Sequence, residues 1–526
     1  MKSKKIGLVL TLFVAAIALM ACGNKDDNNI KSEGPGDVGN KDYKTEMNIA
    51  VTAQPPTLDP SMTVSQVALN IAGNVFETLY TLNANYEPVP MLAESVDVSE
   101  DGKTYTFKLR EGVKFHNGEE MTAEDVVASM NRWVTTSSRA KSLLTNAEFT
   151  VQDPTTVVLT LESATSDVLI ILATKAQFPA IMPAAMVEAA SAEGVNEYIG
   201  TGPFQFEEWK QDQYIHLVKN EEYQAVEAEA SGLSGKKEAF VEDVHYHFVT
   251  DHSTRIAGIQ TGQYDIAESI PLESYEQLNS SDDVQVSSYD GGALTAFYNT
   301  NEGLLADVKI REAITTGLKM DEILLASYAD ADLFSLNPGY MNPNQTQWAT
   351  NAGEGIYNAG DVEKAKQLLQ DAGYNGEEIT LLTTKDYGEM YTATIVIQEQ
   401  LRQMGVNVKV ENFDFPTFLE RKNDFTKWDI FVASTGYQLT PPQLLAVTPD
   451  WAGTKDAKIT ELLTAIRSAE SPEAAQAKWD ELQGYLYEYL PSTVIGHYKS
   501  LIASTNELEG FTVFEAPILW NTKVIK

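Results

Sequence analysis

The apolar residues of this 526-residue chain change rhythm along its length, and that change limits the folds open to it. In the first third they alternate with polar neighbours, at Tyr105, Phe107 and Leu109 and again at Val157, Leu159 and Leu161. A period of two puts every second side chain on one face, which indicates half-buried strands and reads here as antiparallel β structure. Between them, Thr122 followed by Asp125 opens a segment with Val126, Val127, Met130 and Trp133 at helical spacing, Thr122 being placed as the N-cap. A β-rich lobe with packed helices is expected.

The second half reads differently. A strand at 379–383 precedes a helix carrying Ala393, Ile397, Leu401 and Met404, which Gly405 terminates; an alternating strand follows with Val406, Val408 and Val410. Another helix and a strand at 429–433 complete a strand-helix-strand-helix-strand order, the pattern of parallel βαβ units. Ligands of open parallel sheets lie beyond the carboxyl ends of the strands, which nominates the loops 384–387 and 434–443. A helix over 473–490, stopped by Pro491, leads into an apolar stretch at 493–495 that reads as a strand returning to the first lobe; a last strand is expected within 511–514. The chain then crosses between lobes twice. Roughly 480 residues are too many for one core and point to two or three lobes. No short-period repeat suggests a solenoid.

The N-terminus has another character. Lys2, Lys4 and Lys5 precede an apolar run over 6–20 and then Leu19, Met20, Ala21 and Cys22, the order of a signal peptide. The run is too short for a comfortable membrane span, and no later segment is continuously apolar for the length a span needs. Cys22 is the single cysteine, one position after a small residue and three after Leu19, and this resembles a bacterial lipobox. A diacylglycerol on its thiol supplies the two chains that stable anchoring requires. Without another thiol the mature body has no disulfide, thiolate nucleophile or cysteine metal site. Residues 23–44 are polar and glycine-containing and read as a disordered tether. Removing residues 1–21 with their three lysines takes the formal net charge from −37 to −40, which argues against nucleic acid as a partner. Solubility at an exposed location accounts for that acidity.

Several stretches together resemble the family 5 extracellular solute-binding proteins, the dipeptide, oligopeptide and nickel-complex receptors of ABC importers. They are residues 105–118 (YTFKLREGVKFHNG) with 122–127 (TAEDVV), 199–204 (IGTGPF) running into Glu208 and Trp209, Lys219 and Asn220 before a tyrosine, 251–259 with 262–266 (GQYDI), and 298–300 (YNT) with 308–313 (VKIREA). The resemblance runs in order from about residue 48 to the C-terminus. It implies an α/β, two-lobed periplasmic-binding-protein fold of type II, a clamshell with an additional inserted β-rich subdomain. The expected division is 1–21 signal peptide, 22–44 lipidated cysteine and tether, 45–85 with 199–288 and 498–526 first lobe, 86–198 inserted subdomain, and 289–497 second lobe. Crossovers fall near 287–293 and 491–498. It implies a monomer on the outer face of the cell membrane or in the periplasm, anchored through Cys22, that encloses a small peptide or related solute and delivers it to a membrane permease. No cofactor and no catalytic residue is expected. A shift from 1:99 to 99:1 in favour of the closed form takes about 5.5 kcal/mol of differential affinity.

For ligand contacts the resemblance points to Ser65 and Gln66, to the helix with Arg132 and Trp133, and to Ser434, Thr435, Gly436, Tyr437 and Gln438 after the 429–433 strand. The loop rule adds Lys385, Asp386 and Tyr387. Tyr437 leads, because an aromatic there packs on ligand while its hydroxyl stays free to hydrogen-bond. One departure concerns the substrate. Peptide receptors of the family commonly carry an aspartate in the loop after this strand, paired with the α-ammonium, and here residues 436–443 (GYQLTPPQ) contain no acid. Since a buried ammonium without a partner is costly, either another carboxylate, Asp386 or Asp450, takes that role, or the ligand lacks a free amino group.

Other chemistries find little support. Gly200, Gly202 and Pro203 lack the Lys-Ser/Thr of a phosphate loop and read as a structural turn. His245 and His247 share a strand face with His252 nearby, but zinc-protease spacing is absent, and packing or surface roles are expected rather than a metal site. No Gly-x-Ser-x-Gly elbow occurs and nothing groups a triad. A surface sensor using the same clamshell and an envelope hydrolase stand as alternatives, separable by uptake in a deletion strain and by turnover of peptides or esters.

Overall fold

The computed structural model describes residues 42–526, which form one compact unit. The leader, Cys22 and the tether up to residue 41 lie outside the described residues. Among the described residues no helix is long and apolar enough to cross a membrane.

One mixed sheet of eleven strands runs through the molecule. Its order is Asn407–Phe413, Glu378–Thr384, Ile430–Gly436, Val284–Tyr298, Ser492–Thr505, Ile266–Ala267, Glu46–Val51, Asp243–Phe248, Tyr214–Lys219 and Phe204–Lys210, with Phe334–Ser335 attached to Ser492–Thr505. The first three pair in parallel and are built from the expected βαβ units, the crossover helix being Gly388–Gln403. Its Ala393, Ile397 and Leu401 are buried against the sheet, and Gly405, at φ +84°, ends the turn that follows it. The other end of the sheet belongs to the first lobe, where Glu46–Val51 lies parallel to Asp243–Phe248.

The two halves meet through two long antiparallel strands. Val284–Tyr298 pairs with Ser492–Thr505 for most of its length and with Ile430–Gly436 near its end, while Ser492–Thr505 reaches Ile266–Ala267 in the first lobe. The register breaks between Asp290 and Gly292. Gly292 has φ +141°, and a Cβ there would sit 1.9 Å from the Thr435 carbonyl oxygen, so the break accepts no side chain.

The β-rich unit is a four-stranded antiparallel sheet, Ala93–Val98, Thr104–Leu109, Thr156–Thr160 and Glu148–Asp153, with Tyr105 opposite Leu159 and Phe107 opposite Val157. Helix Ala123–Thr136 packs on it, and the Asp125 carboxylate accepts the Thr122 backbone N–H at 2.9 Å, closing its N-terminus. The apolar core of this unit runs from Leu79 to Ile181 and takes in Leu439 of the second lobe, whereas Met182, Met186 and Val195 pack into the first-lobe core.

The two most distinctive sequence motifs meet in space. His116 Nδ1 accepts the Gly200 N–H at 3.2 Å, which leaves Nε2 protonated to donate to the Gly202 carbonyl at 3.1 Å. Burial lowers the pKa of this histidine, which favours that neutral form. A Cβ on Gly200 would lie 2.1 Å from the Val75 oxygen. This segment is a packed turn, as the sequence suggests.

The tether ends sooner than expected. Tyr43–Lys44 pairs with Lys523–Ile525, and Lys44 Nζ reaches Glu507 at 2.8 Å and Asp265 at 3.3 Å. Backbone pairing and two carboxylates order residues that composition alone assigns to a flexible segment.

Candidate functional site

A cleft of about 700 Å³ opens between the β-rich unit and the second lobe, with Tyr86, Asp167 and Ile170 on one wall and Trp348, Leu439 and Arg467 on the other. Two of the contacts between the walls stand out. At one, the Tyr86 ring stacks on Tyr437 with centroids 4.4 Å apart and planes 13° from parallel, and Phe514 packs on the Tyr86 ring at 4.7 Å. Such a pair contributes about 0.5–1.5 kcal/mol beyond its buried area. At the other, Arg467 binds Asp167 through Nε at 3.1 Å and donates from Nη2 to the Leu143 carbonyl at 2.5 Å, while Ser166 donates to the backbone of 466 and 467. Arg139 adds a hydrogen bond to Gln443.

Charged residues from segments far apart in sequence act on one another nearby. Asp290 stands at the register break and accepts from Asn344, whose Oδ1 in turn accepts the Tyr437 hydroxyl at 2.6 Å. Glu515 lies in the turn between Thr512–Val513 and Pro517–Ile518. Lys175 lies on the chain between helices Val168–Leu172 and Ala184–Glu188. Glu268 follows Ile266–Ala267 and accepts the Asn70 amide at 2.9 Å. Burial pushes the carboxyl pKa values of Glu515, Asp290 and Glu268 up and that of Lys175 down. Lys175 and Arg139 counter the shift at Glu515, and Lys499 counters it at Asp290. Burial also raises Tyr289, beside Glu268, to about 12. The arrangement offers both signs of charge and stacked aromatic rings, and it presents no nucleophile with an adjacent base.

The residues expected from sequence divide. Tyr437 is at the cleft, in the stack just described. Trp133 is not: it is 1% exposed and its indole N–H donates to the Gln177 carbonyl at 2.6 Å, so it is a core residue of the β-rich unit. Arg132 is committed to Asp59 through both terminal nitrogens, at 3.2 and 2.5 Å. Ser65 caps helix Gln66–Val75, accepting the Ala68 N–H at 3.4 Å, and Gln66 is exposed. Lys385, Asp386 and Tyr387 are exposed at the mouth of the parallel sheet, where Lys385 lies over the Tyr391 ring, Asp386 accepts the Phe415 N–H at 2.7 Å and Tyr387 meets Phe415 edge-on. Ser434 donates to Glu389 and Thr435 to the Ala293 carbonyl, while Gln438 donates to the Gly436 carbonyl. Asp450, exposed in the short helix Pro449–Ala452, lies beside Lys422. Sequence reasoning missed Tyr86, Arg139, Lys175, Glu268, Asp290 and Glu515. Of these only Asp290 carried a signal, standing before Gly291 and Gly292 within the expected crossover.

His245 and His247 do share a face. The His245 ring stacks on His216 at 4.2 Å, and its Nδ1 lies 3.4 Å from Glu46. Among the described residues no group of three His, Cys, Asp or Glu side chains is placed to hold a metal ion.

The profile of bacterial extracellular solute-binding proteins, family 5 (middle region), matches residues 87–454. The probable peptide ABC transporter periplasmic-binding protein y4tO of Sinorhizobium fredii is 27% identical over 489 residues, 88% of this chain and 90% of that protein. Dipeptide-binding protein DppE of Bacillus subtilis is 26% identical over 442 residues, 79% of this chain and 78% of its own length. Among solved structures, NikA from Brucella suis in complex with Fe(III)-EDTA superposes with a TM-score of 0.78 at 21% identity, covering 91% of this chain and all of that one.

Proposed function

Because the chain belongs to the bacterial extracellular solute-binding proteins, family 5, we propose that it captures a short peptide between its lobes and delivers it to an ABC permease, held at the membrane by a lipid on Cys22. The observation that carries the ligand class is the pair of stacked tyrosines between the lobes with charges of both signs around it. A peptide has a charged group at each end and an apolar body between, and this chamber has complements for all three. The names of y4tO and DppE support the same reading.

The lobes close on the ligand as a monomer in this account, and binding rather than chemistry is the activity. The test is calorimetric titration of the chain, expressed without its first 22 residues, with di- to tetrapeptides. Saturable binding to any of them supports the reading, and loss of peptide uptake in a deletion strain extends it to transport. Binding only to sugars or metal chelates overturns it. A non-peptide solute is the second reading, favoured by the loop 434–443, which has no acid for an ammonium. Lipidation is tested separately by radiolabelled palmitate, which is incorporated by the native protein and lost in Cys22→Ala.

A further inference from the structure

The lining of the cleft divides into an apolar part and a charged part, and the charge is one-sided. Tyr86, Leu169, Ile170 and Leu439 supply much of the apolar surface. Glu87, Glu470 and Glu473 border the same space; all three are exposed, and none has an ion-pair partner among the described residues. Glu87 accepts the neutral Asn83 amide at 2.8 Å. Arg467 is the one basic residue of the lining, and it is held on Asp167 through Nε at 3.1 Å and Nη2 at 3.3 Å. Three carboxylates therefore edge an apolar cleft in which the cation present is already committed.

A second observation is independent of charge. Thr440 lines the same space and is 1% exposed, and its Oγ1 is buried without a hydrogen-bond partner. The reason is local. Thr440 stands before the short turn Pro441–Gln443, where a threonine hydroxyl ordinarily accepts one of the following backbone N–H groups, but Pro441 and Pro442 have none. The next N–H, that of Gln443, goes to the Thr440 carbonyl at 3.0 Å. A buried hydroxyl without a partner costs free energy, which a ligand in the cleft recovers by bonding to it. Lysine and arginine side chains suit both parts of the lining, because their methylene stems lie along apolar surface while the charged head stays at the wet edge. A glutamate in the same place meets only like charge.

We propose that the cleft selects peptides by side chain, taking those that carry lysine or arginine beside apolar residues, with the cationic head among Glu87, Glu470 and Glu473 and a peptide backbone group on the Thr440 hydroxyl. The inference rests on the peptide reading above and narrows it to basic, apolar peptides.

The test is a calorimetric titration of tripeptides with leucine at both ends and lysine, arginine, leucine or glutamate between. Each is used free and with both ends blocked, which separates side-chain charge from terminal charge. The proteins are the wild type, the triple variant Glu87→Gln, Glu470→Gln, Glu473→Gln, and Thr440→Val, with thermal melting to monitor folding. The wild type is expected to bind the lysine and arginine peptides roughly tenfold or more tighter than the glutamate peptide, since one exposed ion pair is worth up to about fivefold and three carboxylates act together. In the triple variant that ratio should fall below about threefold. Thr440→Val should weaken every peptide by a common factor of roughly threefold to tenfold and keep the preference. Equal wild-type affinity for lysine and glutamate peptides overturns the inference while leaving the peptide reading intact. A preference undiminished in the triple variant also overturns it, because a general attraction by this acidic chain survives the loss of three of its 75 carboxylates. Unchanged affinities in Thr440→Val overturn the backbone contact, and binding of no peptide in any form overturns the peptide reading as well.

Discussion

The two walls of the cleft differ in how they use polar groups. On the second-lobe wall the residues after the 430–436 strand are neutral and mostly engaged, Tyr437 with Asn344, Ser434 with Glu389, Thr435 with Ala293 and Gln438 with Gly436, while Thr440 Oγ1 and Gln443 Nε2 are buried without partners. On the first-lobe side Lys175 Nζ and Glu268 Oε1 are buried without partners, and Glu515 is held in a strained turn. The second lobe presents a mostly neutral loop with Asp290 and Arg467 to either side; the first-lobe side carries unpaired buried charge. Regular βαβ loops place their donors and acceptors close to backbone that satisfies them. A chamber built from a hairpin, a connecting loop and a strand end can leave charges facing each other.

The comparison separates residues that hold the first-lobe wall from those that act on it. Trp133→Ala should cost about 3–5 kcal/mol in urea unfolding, because a fully buried indole is removed. If it folds, it should bind peptide within about twofold of wild type. Selective loss of binding would make Trp133 part of the site.

A second prediction concerns the join. His497, opposite Ala293, donates from Nε2 to the Gly339 carbonyl at 2.9 Å, and burial pushes its pKa down to about 4. An unfolded chain protonates histidine near about 6.5, so between these values only the unfolded state takes up the proton. Stability contributed by the neutral ring is therefore present above pH ~6.5 and is lost as pH falls toward ~4, by about 3 kcal/mol in all. Urea unfolding of the wild type and His497→Gln at several pH values checks this; equal slopes would contradict it.

The clasp gives a smaller effect. Arg467→Ala removes the contacts to Asp167 and the Leu143 carbonyl and should cost about 1–2 kcal/mol of the closed form. Small-angle scattering should show a larger radius of gyration, and free and blocked peptides should weaken by the same factor, since the population of the competent state scales all affinities alike. The smallest effect is expected at the second-lobe rim. Asp450→Asn, exposed and outside the chamber, should change peptide affinity by less than about twofold.

Much of the architecture was readable in advance because it is written locally. Ala393, Ile397 and Leu401 recur on one helix face, and Tyr105, Phe107, Val157 and Leu159 alternate, so the lobes and their strand types follow from period alone. At the cleft the sequence pointed to the loop 434–443, where Leu439, Thr440 and Pro442 line the space and Tyr437 stacks on Tyr86. The rule about carboxyl ends of parallel strands drew attention to 384–387, which proves to be an exposed rim. Trp133 sits in the apolar stripe of its helix with Val126 and Met130, a spacing that equally describes a core, and the core is where it lies. Lys175, Glu268 and Glu515 belong to unpatterned segments more than 90 residues apart along the chain, and only the tertiary fold brings them to one chamber.

The most direct test is a parallel titration of one unblocked dipeptide into Tyr437→Ala and Asp386→Asn. A loss of roughly threefold to tenfold, the worth of a stacked aromatic pair, is expected in the first and an affinity within about twofold of wild type in the second. The reverse outcome would put the ligand at the 384–387 rim and contradict its place at the cleft.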